Sequence, residues 1–392
     1  MGFQPVHARA GSANMAANAL NEFTWRLNAR LADTKDNLFY SPLSIHTALE
    51  MCLTGARGGT RKELQEVLQA NPSDEQFHQP FAQLRSALTR PGLGQGGAVL
   101  RTADRLWAQK GQAFLPEFRQ RLETELGASL SYVDYLGQPE KSRVEINDWI
   151  SNQTQGTIRD LLPSEAISRE TRLLLTHAIY FKASWEHPFD PNRTSEGEFT
   201  PDTGRKLKIP YMRQTESFKW GRTAQGEALE MPYRGTGLSM LILLPAPGLP
   251  MKEFFKALNA HSIEEWTSGL EEQKVFVQMP RFELRFRKPL TEVFGKLGIR
   301  TAFSGSADYS GMDGTKSLHL DGAIHEAFVK VTEEGTEAAA VTATGNEIAR
   351  ADREQPRHFI INRPFVLLIR DRISGAVIYV GRIINPREQS SI

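Results

Sequence analysis

One cysteine is all the chain has, Cys52, so no internal disulfide can cross-link it. Cys52 lies in an apolar helical context, where a thiol behaves as a small hydrophobe. Neither sign of charge is in surplus. With 47 basic against 46 acidic residues, no global field draws nucleic acid or an anionic membrane, and neither is expected as a partner. No apolar run reaches the ~18 residues that a membrane span requires. Met1 to Ala13 contains no apolar signal core, so the chain as given carries no secretion signal, and both a secreted, extracellular and a cytoplasmic location stay open. Catalytic motifs are missing too. There is no G-x-S-x-G elbow, no H-E-x-x-H, and one cysteine leaves no C-x-x-C. Gly92-Leu93-Gly94-Gln95-Gly96-Gly97 matches a dinucleotide fingerprint in letters, yet Thr89-Arg90-Pro91 stands where a strand is needed, and a connector is expected. No catalytic residue, metal ligand set or cofactor is expected, and the chain does not read as an enzyme.

What is present is a regular alternation of elements. Met15, Ala19, Phe23, Leu27 and Leu31 recur at helical spacing and predict a helix over 14–32. Ser41-Pro42 opens a second helix, with serine as cap and proline in the first turn, ending near Gly55. Thr60 and Glu63 have capping-box spacing. Further helices are expected at 75–89, 115–126, 140–153 and 288–297. Arg172 to Phe181 is apolar throughout, as in a central strand covered on both faces. Leu238 to Leu244, Lys274 to Met279, Ala323 to Val331 and His358 to Leu368 are further strands. Arg281, Glu283, Arg285 and Arg287 alternate with Phe282, Leu284 and Phe286, a half-exposed strand whose arginines read as a solvated face. The pattern predicts one α+β domain of several sheets.

The most informative stretch runs from Glu333 to Gln355, 23 residues without proline. Every second residue from Thr336 (Thr336, Ala338, Ala340, Thr342, Thr344) is no larger than threonine. In a strand they share one face. Such a face adds little core, but it can enter a crowded sheet without clashing.

Several blocks, in order, resemble the serpin family over about residues 15 to 387. They are Asn37-Leu38-Phe39-Tyr40-Ser41-Pro42, Ile146-Asn147-Asp148-Trp149-Ile150, Ala178-Ile179-Tyr180-Phe181-Lys182-Ala183, Phe359 to Ile369 and Gly381-Arg382-Ile383-Ile384-Asn385-Pro386. The resemblance implies three β-sheets, eight or nine helices and one domain over 14–387. Within it, 333–358 is implied as an exposed reactive-centre loop. It further implies a suicide-substrate inhibitor, whose cut loop enters the main sheet and traps the protease as an acyl-enzyme. The alternative is a non-inhibitory serpin acting as carrier, chaperone or storage protein. Carried over by position, the hinge is Glu333, Glu334, Gly335, Thr336, Glu337, Ala338, Ala339, Ala340, Val341 and Thr342. Family spacing puts the reactive bond at Ala349-Arg350. A register one longer puts it at Arg350-Ala351. The first suits an elastase- or subtilisin-like serine protease, the second a trypsin-like one, and a cysteine protease is a further option. A monomer is implied. Ser41, Ser44 and His325 resemble the cluster controlling sheet opening, with His177 where the family usually has asparagine. The two rings are expected to charge near pH 6. Trp185 and Arg281 mark the insertion point, Arg281 paired with Glu333.

Overall fold

The computed structural model describes residues 6–70, 77–88, 98–336 and 355–387, with side chains of the first helix from residue 14 onward. In chain order the elements are α1 (Val6–Leu31), β1 (Leu38–Tyr40), α2 (Pro42–Gly55), α3 (Gly58–Leu68), α4 (His78–Leu88), β2 (Val99–Gln109), α5 (Pro116–Leu126), β3 (Ser129–Val133), α6 (Pro139–Gln153) and β4 (Leu173–Ser184). There follow β5 (Ser195–Phe199), β6 (Leu207–Thr223), β7 (Gly226–Pro232), β8 (Leu238–Pro245), α7 (Met251–Ala257), α8 (Ala260–Ser268), β9 (Glu271–Pro280), β10 (Phe282–Pro289), α9 (Thr291–Leu297) and α10 (Ser310–Asp313). The chain closes with β11 (Gly322–Val331), β12 (Gly335–Thr336), β13 (Arg357–Ile360), β14 (Phe365–Asp371) and β15 (Val377–Ile383).

These strands form two hydrogen-bonded networks. The smaller runs β10-β11-β12-β4-β2-β3. The larger runs β1-β15-β14-β8-β7-β6-β9-β13, with β5 on the flank of β6. It holds two of the three expected sheets fused through β6. That strand pairs with β5 over Leu207–Tyr211, with β9 over Tyr211–Trp220 and with β7 over Lys219–Thr223.

The helix α2 lies in the middle of the molecule, and all of its residues are buried. A helix without a solvent face must satisfy its polar side chains internally. Thr47 and Thr54 donate to the carbonyls of Leu43 and Glu50 one turn back. The carboxylate of Glu50 accepts from His46 Nδ1 at 2.8 Å, His78 Nδ1 at 3.1 Å and Arg85 at 2.9 Å. Burial alone raises a carboxyl's pKa. Here the opposing pull of Arg85 and the two ring bonds wins, and Glu50 stays well below the carboxylate range. Ser41 caps the helix as expected, its Oγ accepting from the Ser44 N–H at 3.2 Å, with Pro42 in the first turn. Cys52 is fully buried and its thiol is pushed up to about 12 by desolvation, so it is inert packing.

The smaller sheet is covered on both faces. On one lies α2. On the other lies α6, whose Ile146 and Ile150 share a core with Ala103, Trp107, Leu174, Ala178 and Ile324. Those residues come from β2, β4 and β11.

Three expectations change. The helix predicted over 288–297 begins only at Thr291, because β10 continues to Pro289, with Lys288 opposite His325; a residue before proline disfavours the helical region. The strand predicted over 358–368 is two strands broken at Asn362-Arg363-Pro364, β13 parallel to β9 and β14 between β8 and β15. The Thr60/Glu63 pair does not form a capping box. Glu63 instead accepts from the Arg300 and Thr301 N–H groups, tying α3 to a distant turn. The 92–97 connector lies outside the described residues.

Candidate functional site

The parallel pair β4–β11 is the seam of the smaller sheet. Direct pairing runs from Leu174/Gly322 to Ile179/Ala327, with His177 opposite His325. Above it the two strands part. There Thr336 sits between them, paired with Ala183 on β4 and Val331 on β11, and antiparallel to both. A tight turn makes this possible: Thr332 N–H donates to the Gly335 carbonyl at 2.9 Å, folding the chain back against β11. Gly335 has φ +153°, and a Cβ there would lie 2.1 Å from the Ala183 carbonyl oxygen. Only glycine passes this point without displacing β4.

The small size of Thr336 is used. It is fully buried, and its hydroxyl lies 2.8 Å from the Tyr233 hydroxyl. The Tyr233 ring stacks on Trp185, centroids 4.8 Å apart at 9°. Trp185 donates from Nε1 to the Thr332 carbonyl at 3.0 Å and from its backbone N–H to Glu334 at 2.9 Å. The backbone carbonyl of Glu333 accepts from Phe189 N–H at 2.8 Å. Its carboxylate accepts from the Thr194 hydroxyl at 2.8 Å, while Arg281 stands 3.8 Å away. The Arg281–Glu333 pair is therefore present, but Thr194 is the closer partner. Of the hinge, Glu333 to Thr336 are described; Glu337, Ala338, Ala339, Ala340, Val341 and Thr342 lie outside the described residues, as do Ala349, Arg350 and Ala351.

The lower part of the seam brings Ser41, Ser44, His177 and His325 together. Ser41 N–H donates to His325 Nε2 at 3.2 Å, and the Ser41 hydroxyl to the Ile378 carbonyl at 2.8 Å. The two imidazoles meet Nδ1 to Nδ1 at 3.3 Å. Asp104 on β2, directly opposite His177, takes the Ser44 hydroxyl at 2.9 Å. Tyr233 and Thr194 carried no signal in the sequence, since only tertiary contact gives them partners. The arginine comb is likewise not just a solvated face: Arg285 and Arg287 bond the fully buried Glu326 at 2.6 and 2.7 Å.

The rings are not poised near pH 6. Desolvation pushes His325 down to about 3 and His177 well below the usual histidine range, the neighbouring ring adding to the effect at His177. The unfolded chain therefore takes up protons below about pH 6.5 that the folded one refuses, and stability is lost as pH falls from there toward 3. Asp104 acts with opposite sign. Burial raises it to about 7, so its cost to the fold grows as pH rises from about 4 to 7 and is relieved in acid. For His325 alone the loss at pH 5 is about 2 kcal/mol. Replacing His325 by asparagine should shrink the pH 7 to pH 5 drop in chemical-unfolding stability by about that amount. An identical drop in both proteins would exclude this.

Residues 18–386 match the family model Serpin (serine protease inhibitor). Over 360 residues the chain is 36% identical to leukocyte elastase inhibitor of Bos taurus, covering 89% of this chain and 93% of that protein. Over 393 residues it is 34% identical to Serpin B3 of Homo sapiens, covering 95% and 100%. Among solved structures, human thyroxine-binding globulin in complex with thyroxine superposes with a TM-score of 0.87 at 27% identity, covering 96% of this chain and all of that one.

Proposed function

Because the chain belongs to the serpin family and has its fold, we propose that it inhibits proteases as a suicide substrate. A protease attacks the 333–358 loop as substrate and forms an acyl-enzyme. The cut loop then enters the seam between β4 and β11 and carries the tethered protease with it. The chain serves as a trap and not as an enzyme, and it uses no catalytic residue and no cofactor of its own. One domain over 14–387, acting as a monomer, suffices.

The observation that carries this reading is the position of Gly335 and Thr336, seated between the two strands that have to part. The Gly335–Thr336 segment runs antiparallel to both walls, so a strand continuing in its direction would enter the seam. Its alternate residues are Ala338, Ala340, Thr342 and Thr344, all small enough to follow. About a dozen residues would gain ladder bonds, on the order of 6 to 18 kcal/mol before ordering is subtracted. A native state held short of that form is a stored-strain device. The same positions oppose the carrier or storage alternative, since nothing bulky stands on the inward face.

We place the reactive bond at Ala349-Arg350 for an elastase- or subtilisin-like target, with Arg350-Ala351 for a trypsin-like one. Incubation with serine and cysteine proteases should give a covalent complex on a denaturing gel, and the mass of the released C-terminal fragment should identify the bond. Nicking the loop should raise the melting temperature by well over ten degrees, as the strand enters. An unchanged melting temperature in the nicked protein would reject the insertion mechanism.

A further inference from the structure

A groove of about 620 Å³ opens where the break between β13 and β14 meets the turn leading from β8 into α7. Its volume falls within the range of small-molecule sites, roughly 300 to 1,000 Å³. It shares no residue with the seam or the hinge. Four prolines, Pro245, Pro247, Pro250 and Pro364, line it together with Leu249 and Met251. A proline ring fixes its own φ and has no rotamers to lose. The backbone of the turn is pinned as well. Ala246 N–H donates to the Gln225 carbonyl at 2.8 Å and Leu249 N–H to the Ala246 carbonyl at 3.1 Å. Thr200 N–H, also in the lining, donates to the Asn362 carbonyl at 2.8 Å. The space is therefore preformed, and an occupant has to order little of the protein around it.

Two charged side chains line this space, and only one of them has its bonds. Arg363 donates from Nε and Nη2 to the Pro245 carbonyl at 2.9 and 2.7 Å, and from Nη1 to Asn362 Oδ1 at 3.3 Å. Asp202 meets no hydrogen-bond donor and forms no ion pair among the described residues. The one cation acting on it there is Arg382, which is itself buried and committed to the carbonyls of Ala32, Thr34 and Asp36. Partial burial outweighs that cation and raises the Asp202 carboxyl. A half-desolvated carboxylate without a donor of its own is complementary to a cation.

We propose that the groove binds a small organic amine with a flat apolar body, its ammonium on Asp202 and its body against the proline faces. Flat rings and pyrrolidine faces match one another in shape, as they do where proline-rich segments dock on aromatic grooves. An organic acid is the wrong partner, because it sets a second anion beside Asp202 while Arg363 is already engaged. The site does not depend on the inhibitory reading.

The probe is tryptamine, an ammonium on a flat apolar body, with indole-3-propionate as the matched anion. In methyl NMR of the full chain at pH 8, tryptamine should shift the Leu249 and Met251 signals with a Kd on the order of 0.1 to 1 mM. Indole-3-propionate should bind at least tenfold more weakly. Asp202→Asn, at an exposed position, should weaken tryptamine by about tenfold or more, the loss expected for a charge-assisted hydrogen bond. Leu249→Trp, which fills the groove, should abolish the Met251 shift. No shift at about 10 mM tryptamine would overturn the proposal, as would equal binding of amine and acid or unchanged binding in Asp202→Asn. The comparison of the two probes on the wild-type chain decides even if a variant does not fold. No protease enters the experiment, so its outcome is separate from that of the trap.

Discussion

Thr336→Arg should convert a trap into a plain substrate. Thr336 is fully enclosed, with Val331 and Ala183 as ladder partners and the Tyr233 hydroxyl 2.8 Å from its own. Behind Tyr233 lie Trp185 and Phe181, with ring centroids 4.8 and 5.1 Å from it. A guanidinium placed there meets aromatic faces. An unpaired buried charge costs several kcal/mol, against a contribution of about 0.5 to 1.5 kcal/mol from each ladder bond. The hinge should leave the sheet, and the cut loop should fail to re-enter. Cleavage by the target protease should continue at near the native rate. The yield of denaturant-stable complex should fall at least a hundredfold, a difference of about 3 kcal/mol in how acyl-enzyme partitions. Thr336→Ser, which keeps the hydroxyl and loses only a methyl, should behave as native. Undiminished complex in the arginine variant would mean that Thr336 does not need to lie within the sheet.

The second large effect is on stability. Glu326→Ala should destabilise the fold by about 3 to 5 kcal/mol, because it strips the shared counter-charge from two arginines at once. Glu326 is fully buried on β11, with one oxygen on Arg285 and the other on Arg287. Arg287 is 11% exposed and has nowhere to go, whereas Arg285, at 32%, can turn outward. Arg285 also donates to the Thr157 carbonyl beyond α6 at 2.7 Å, so losing the carboxylate loosens the end of that helix as well. Chemical unfolding at pH 7.5 measures the change. Arg285→Ala should cost much less than Glu326→Ala. Equal costs, or a loss under 1 kcal/mol for Glu326→Ala, would show that the pairs contribute no more than exposed ones do.

Much of this architecture was written locally. Helix α2 begins at Pro42, where the serine cap and the proline place it, because caps act within a turn. The apolar run through β4 and the alternation in β10 likewise depend on neighbours two residues away. What the sequence hid was long-range. The β5-β6-β7 ladder pairs strands that are neighbours in the chain, and it was not anticipated because its burial pattern is irregular. Tyr233 is far along the chain from Thr336, and only the fold brings their hydroxyls together. The histidines were placed correctly beside Ser41 and Ser44, but their titration was misjudged: residue type alone suggests pH 6, and only burial in the seam moves them down.

The turn at Thr332–Gly335 bears on speed. A strand that had to find its slot from solution would first meet the entropy of closing a long loop. On the proposed inhibitory reading the first rung, Thr336 between Ala183 and Val331, is laid before any bond is cut, so entry would begin as propagation, like a zip with its slider engaged. The race against hydrolysis would then be set by the rate of residue-by-residue advance, and hardly at all by how the hinge came to rest at its starting notch.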